Sequence, residues 1–123
     1  MQCLWINPDA PATLTRRLPP AWPADQVDLT FTDVQQALQV LSEAPIDLIV
    51  APWQALGADP AGACARLHHQ TQLPLLVITR AQDPVAAIVA LESGACDVVN
   101  EQVGAAELLA RMRAAVRRAR RAF

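Results

Sequence analysis

Two histidines and three cysteines are the side chains in this sequence best suited to hold a transition metal. His68 and His69 are adjacent, so on a helix they point about 100° apart and cannot share one ion. Cys3, Cys64 and Cys96 lack the short spacings of a zinc site, and their odd number argues against a disulfide framework. We therefore expect a surface histidine pair, free thiols and no metal.

Loops that bind nucleotides or activate a nucleophile are also missing from the sequence. There is no GxGxxG, no P-loop and no nucleophile elbow, and no activated nucleophile or acid–base pair stands out. The sequence therefore predicts no cofactor and no enzymatic activity. A residual enzyme of related architecture is the least favoured of the function classes that we consider.

The residue that would carry chemistry in a parallel sheet is a proline here. Residues 46–52 contain an unbroken apolar run between Asp47 and Pro52, which is typical of a strand buried on both faces at the centre of such a sheet. Ligands and reactions lie beyond the carboxyl ends of the strands in open sheets of this kind. Pro52 stands at that end, and it has no ionisable group, nucleophile or N–H.

Length and composition limit the chain to one globular domain. It has 123 residues, 53% of them hydrophobic, with a net charge of −2 and a pI near 5.5. All ten basic residues are arginines, and six of them fall in the last thirteen positions. That basic end is either a nucleic-acid-binding tail or a solvated last helix, and we adopt the second interpretation.

The free thiols and the absence of a signal peptide predict a cytoplasmic protein. No apolar run approaches the roughly 20 residues that a membrane helix needs, so we expect no membrane contact.

Strand and helix patterns alternate along the chain. Predicted strands lie at residues 3–6, 27–31, 46–52, 75–78 and 97–99, and predicted helices lie at 12–18, about 33–41, 61–70, about 84–93 and 105–121. Thr32 and Gln35 have the spacing of a capping box for the second helix, and Asp83 with Pro84 opens the fourth. Five such alternations favour an α/β fold, a parallel sheet with helices on both faces.

The sequence at this point resembles the CheY-like receiver domain of bacterial response regulators, over essentially its whole length. The matching stretches are DLIV at 47–50, LPLLVIT at 73–79, LESGACD at 91–97 and ELLARMR at 107–113. The resemblance implies a flavodoxin-like (βα)5 domain, doubly wound, with five strands in the order 2-1-3-4-5. The last helix is most similar to that of OmpR/PhoB-type receivers, which are attached to winged-helix DNA-binding domains.

Receivers of this family hold Mg²⁺ with acidic residues, accept phosphate on an aspartate and pair that phosphate with a lysine. The resemblance places the acidic pair on Asn7 and Pro8, or on Pro8 and Asp9, and the acceptor on Pro52. Asp9 is then a helix cap or a remnant ligand, and we favour the cap. The remaining family positions are occupied by Thr79 for the hydroxyl residue, Val98 for the switch aromatic, Glu101 for the lysine and Gln102 for the following proline.

Only Thr79 therefore keeps the residue type that the family uses at its phosphorylation site. The resemblance implies a degenerate, atypical receiver that acts independently of phosphorylation as a regulatory and dimerisation module of two-component signal transduction. A rival hypothesis is a small-ligand sensor that uses the vacated pocket of Asn7, Pro52, Trp53 and Thr79. Trp53 would either cover that pocket or contact a partner.

The resemblance also implies a homodimer through the fourth predicted helix, the fifth strand and the fifth predicted helix. Leu91 and Leu109 match its apolar patch, and Asp97 with Arg111 matches one salt bridge. Ala87 replaces the basic residue expected opposite Glu107, and Cys96 replaces the acidic residue expected opposite Arg113. The apolar patch must then hold the dimer. We expect 1–123 to be a single receiver-like domain next to an output domain, with a partner signalling protein, and with nucleic acid met only through that output domain.

Overall fold

Five parallel strands and four helices make up the computed structural model, which describes residues 1–6 and 27–121. Helices are numbered within those residues; the predicted helix at 12–18 and the expected site residues Asn7, Pro8 and Asp9 lie outside them. The elements in chain order are β1 Gln2–Ile6, β2 Asp28–Thr32, α1 Ala37–Glu43, β3 Leu48–Pro52, a 3₁₀ turn at Trp53–Leu56, α2 Pro60–Thr71, β4 Leu75–Thr79, α3 Pro84–Glu92, β5 Asp97–Asn100 and α4 Ala105–Arg121.

The sheet has the order β2-β1-β3-β4-β5 with every neighbouring pair parallel, which confirms the flavodoxin-like fold. Every residue of β4 and all of β3 up to Ala51 are buried, as the unbroken apolar runs predicted. In the register, Pro52 is the Cα partner of Ile78, and Thr79 is the partner of Asn100. The last residues of the three strands therefore lie at one edge of the sheet.

Two apolar layers cover the two faces of the sheet. One face packs against α4, whose buried residues are Leu108, Met112, Ala115 and Val116. The other packs against α1, α2 and α3, with Cys64 and Leu67 buried as the sequence predicted. None of the described helices has both the length and the apolar character needed to cross a bilayer.

The predicted start of the helix after β2 was wrong. Thr32 ends β2 and is buried, and α1 begins only at Ala37 with no side-chain cap. The Asp33 carboxylate accepts a hydrogen bond from the Gln36 backbone N–H at 2.8 Å, so a local turn forms in place of the capping box.

Asp83, in contrast, caps α3 as predicted, because its carboxylate accepts from the Ala86 N–H at 3.0 Å. Asp59 caps α2 in the same way through Gly62 at 3.1 Å. In both helices a proline occupies the first position, where its missing N–H costs nothing.

Candidate functional site

Pro52 lies at the carboxyl end of β3, at the position that the resemblance gives to the phosphoryl acceptor. It ends a buried run, is itself half-buried, and starts the 3₁₀ turn with an extended backbone at φ −60° and ψ 136°. The ring fixes φ near the observed value and supplies no donor or nucleophile. This edge therefore has no reactive group on its central strand.

Thr79 and Glu101 lie on the same edge as Pro52, one strand and two strands away. Thr79 is buried, and its carbonyl accepts a hydrogen bond from the Glu101 N–H at 2.7 Å. Neighbouring strands are about 4.8 Å apart, so Glu101 begins roughly 10 Å from Pro52. The structure thus brings these three expected site residues together, with a carboxylate at the position where the family has a cation.

A hydrogen-bonded connection between two loops is the feature of this edge that sequence reasoning missed. Asn100 Nδ2 donates to the Ala81 carbonyl at 3.1 Å, and Asn100 Oδ1 accepts from the Gln102 N–H at 2.8 Å. One side chain therefore joins the loop after β4 to the loop after β5. Asparagine commonly makes such backbone contacts, but its partner 19 residues away could not be read from the sequence.

Trp53 and Val98 are half-buried against the core layer that includes Ile6, Ala51 and Val77. Trp53 directly follows Pro52, so its apolar ring packs on the core beside the candidate site. Val98 occupies the position of the family's switch aromatic with a much smaller side chain.

The histidines and cysteines do not form a reactive site. His68 and His69 are exposed, with ring centroids 5.4 Å apart, and no three His, Cys, Asp or Glu side chains within residues 1–6 and 27–121 are arranged to hold a metal. Burial raises the pKa of the Cys3 thiol to about 12 and that of Cys64 to about 11. Burial also raises the pKa of Cys96. The two buried thiols are therefore poor nucleophiles at neutral pH.

The outer side of α3 carries an exposed apolar patch, which we define as Val85, Ile88 and Leu91. These side chains are 67%, 56% and 51% exposed, while Ala86 and Ala90 of the same helix are buried. Pro84 and Glu92 extend the helix, and no basic side chain lies on it. Isolated exposed apolar residues are common, whereas three on one helix face are typical of an interaction surface.

A salt-bridge cluster lies on β5 and α4. The Arg111 guanidinium is 3.2 Å from the carboxylate of Asp97 and 3.2 Å from that of Glu107. Hydrogen bonds to Asp97 and Glu107 raise the pKa of Arg111. All three groups belong to one chain, so the bridge expected between two copies is already formed within each copy.

Leu109 and Arg113, two further residues of the expected dimer face, do not share that side of α4. Each is two residues from Arg111, so each points about 200° around the helix from it. Leu109 is half-buried against the layer that contains Leu108 and Met112, and Arg113 lines a cleft with Met1. Cys96, which was expected opposite Arg113 of a second copy, lines a cavity of about 400 Å³ with Arg118 within one chain.

Comparison with known proteins finds regulatory and sensory transduction proteins, although no family model matches the chain. It is 38% identical over 92 residues to the transcriptional regulatory protein AfsQ1 of Streptomyces coelicolor, covering 75% of this chain and 41% of that protein. It is 31% identical over 87 residues to the sensory transduction protein RegX3 of Mycobacterium tuberculosis, covering 71% and 38%. The chain thus spans about two fifths of the length of these relatives.

Solved structures match the fold over almost the whole chain. A response regulator receiver domain from Clostridium thermocellum aligns with a TM-score of 0.82 at 16% identity, covering 99% of this chain and 98% of that one. The receiver domain of the Francisella response regulator 1452 aligns with a TM-score of 0.77 at 20% identity, covering 95% and 97%. At these identities the structural likeness shows the fold.

Proposed function

We propose that this chain, which belongs to the CheY-like receiver domains of response regulators, is an atypical receiver that works without aspartyl phosphorylation. The observation that carries the proposal is Pro52 at the carboxyl end of β3, where the family resemblance places the acceptor aspartate. We place the domain in the cytoplasm, as a non-enzymatic regulatory module; its three free thiols support a reducing compartment.

Phosphoryl transfer to this edge lacks the groups that the reaction requires. The acceptor must be a nucleophile, and proline has none. A cation must also neutralise the charge that develops on the transferred phosphoryl group, whereas Glu101 would add a second negative charge there. Of these three residues only Thr79 offers a hydroxyl, and Thr79 is buried. Both the covalent step and its electrostatic support are therefore missing from the described edge.

The hydrogen bonds of Asn100 support a receiver with one resting conformation. They join the loops that follow β4 and β5 without a phosphoryl group between them. We infer that this edge is held in place by the protein itself. Trp53 packs on the core beside Pro52, which favours this interpretation over the small-ligand sensor.

The similar proteins suggest what kind of output domain this receiver controls. Similar proteins include a transcriptional regulatory protein and, at 34% identity over 86 residues, a DNA-binding response regulator of Mycolicibacterium smegmatis. We propose that this receiver controls an output domain and answers to a partner signalling protein rather than to a phosphoryl donor.

Assembly is proposed to occur through α3, β5 and the adjoining flank of α4. The exposed patch of Val85, Ile88 and Leu91 supplies the apolar area, with Ala87 beside it. The cluster of Asp97, Glu107 and Arg111 borders that area on β5 and α4. Because these charges are satisfied within one chain, the patch is the part that can drive a two-fold homodimer.

Beryllofluoride with Mg²⁺, a stable mimic of an aspartyl phosphate, tests the proposal. The amide NMR spectrum should be unchanged by it, and acetyl phosphate should add no mass to the chain. A receiver that has the acceptor aspartate, treated in parallel, should respond to both reagents. A saturable beryllofluoride-dependent shift centred on residues 52, 79 and 101 would overturn the proposal.

A further inference from the structure

A cleft lined by four arginines lies between α4 and the start of β1. It has a volume of about 480 Å³ and is lined by Met1, Arg113, Val116, Arg117, Arg120 and Arg121. Val116 is buried and forms part of its wall, whereas the arginines are exposed. We call this feature the arginine cleft. It lies on the opposite flank of α4 from Arg111 and from the proposed dimer face.

We propose that the arginine cleft binds the phosphate backbone of double-stranded nucleic acid. Arg117 and Arg121 are four residues apart and so lie on one side of the helix, about 6 Å apart along its axis, with Arg120 between them. One strand of B-DNA carries a phosphate for about every 3.4 Å of its axis. The three guanidinium groups therefore cover a length that two or three phosphates of one strand occupy.

The charges of Arg117, Arg120 and Arg121 are largely available to a ligand. Arg120 is 3.7 Å from a carboxylate oxygen of Asp47, a long contact between an exposed guanidinium and a half-buried carboxylate. Within the described part of the chain, no acidic side chain forms an ion pair with Arg117 or Arg121. The whole chain has a net charge of −2, so attraction of a polyanion has to come from this local cluster.

A membrane surface is a poorer match for the same arginines. A helix that lies on a bilayer needs a free apolar face next to its basic one. The apolar side chains of α4, which include Leu108, Met112 and Val116, are buried against the sheet. An acidic protein partner is also disfavoured, because Val116 is buried and Met1 is half-buried, and none of the exposed large hydrophobic side chains of the described residues lines the cleft.

Binding of nucleic acid at the arginine cleft departs from the expectation that nucleic acid is met only through an output domain. Contacts to phosphate position a protein on a duplex and carry no direct sequence information. The arginine cleft would thus add sequence-independent affinity and orientation to whatever base recognition an output domain supplies. It does not depend on whether the receiver accepts phosphate, so its failure would leave the proposed function untouched.

Binding of this chain to a fluorescent 20-base-pair duplex of arbitrary sequence, measured by anisotropy at several salt concentrations, tests the inference. With three phosphates neutralised, the slope of log K against log salt is about −2.7, so raising salt from 30 to 120 mM weakens binding about 40-fold. Arg117→Gln with Arg121→Gln should reduce that loss to about 3- to 4-fold and weaken binding at 30 mM.

The matched control removes the same number of charges outside the cleft. Arg66 on α2 and Arg118 on the other flank of α4 are exposed, and neither lines the cleft. Arg66→Gln with Arg118→Gln should keep the wild-type salt slope, and both double variants should melt at the wild-type temperature. Equal loss of slope in the two double variants would overturn the inference, as would binding to phosphatidylserine vesicles without binding to the duplex.

Discussion

The exposed apolar patch on α3 gives the sharpest test of how this receiver assembles. Ile88 lies at its centre, between Val85 and Leu91, and is 56% exposed. Completely burying an isoleucine side chain contributes about 1.5–3 kcal/mol, so burying the exposed half contributes about 1–1.5 kcal/mol. A two-fold interface counts each residue twice, and Ile88→Arg should therefore remove about 2–3 kcal/mol of association free energy.

The whole patch supports a weak dimer. Its three side chains, summed over both copies, contribute about 7 kcal/mol, while association costs at least about 4 kcal/mol in lost freedom of motion. The net of about 3 kcal/mol corresponds to a dissociation constant of several millimolar, so the concentration series must reach the low millimolar range. A loss of about 2–3 kcal/mol raises the dissociation constant by about 30- to 150-fold, so Ile88→Arg should be monomeric throughout the range.

Sedimentation velocity of three proteins checks this reasoning. The control is Phe31→Arg, because Phe31 is a 37% exposed apolar residue on β2, at the opposite edge of the sheet from β5. Wild type and Phe31→Arg should show the same dissociation constant, and only Ile88→Arg should lose the dimer. A wild-type chain that shows no dimer at about 2 mM, or a dimer that survives Ile88→Arg, would refute the proposed interface. Leu109→Arg is a poorer probe, since Leu109 packs half-buried against the core.

Two further predictions concern the candidate site and the core. Pro52→Asp restores a carboxylate but leaves Glu101 across the same edge, so acetyl phosphate should add no mass to this variant, and rapid labelling would show that Glu101 is no obstacle. The free energy of unfolding should fall as pH rises above about 9, because the thiols of Cys3 and Cys64 ionise there in the unfolded chain, while their pKa values of about 12 and about 11 keep them neutral in the folded chain. The chain has no lysine and no tyrosine, so urea titrations from pH 8 to pH 10 should show a loss of at least about 2–3 kcal/mol, since the raised pKa of Cys96 acts in the same direction. Cys64→Ala should reduce that loss by about 1 kcal/mol, and equal stability of the wild type at the two pH values would contradict the prediction.

Most of the fold was predictable because the apolar runs are long and their borders carry clear signals. The buried central strands, the burial of Cys64 and Leu67 and the cap at Asp83 all followed from local pattern. The start of α1 did not, because Asp33 competes with Thr32 for the turn and the sequence cannot rank the two acceptors.

The candidate site was predictable at the level of strand ends and unpredictable at the level of side-chain contacts. Parallel strands carry Pro52, Thr79 and Glu101 to one edge whatever their side chains do. The resemblance assigned Leu109 and Arg113 to the dimer face by position alone. Helical geometry separates each of them from Arg111 by about 200°, and the burial of Leu109 follows from that separation.

The hydrogen bonds of Asn100 link the candidate site at the strand ends to the loop that leads into α3. Thr79 ends β4, and its carbonyl accepts a hydrogen bond from the Glu101 N–H after β5. The Asn100 side chain donates to the Ala81 carbonyl in the loop after β4. The loop so held, 80–83, leads directly into α3, whose N-terminal cap is Asp83. In the described structure the position of the α3 patch is therefore fixed by bonds that need no phosphoryl group. The proposal that this receiver works without phosphorylation therefore assigns its regulation to the concentration of the chain or to a partner that covers Val85, Ile88 and Leu91.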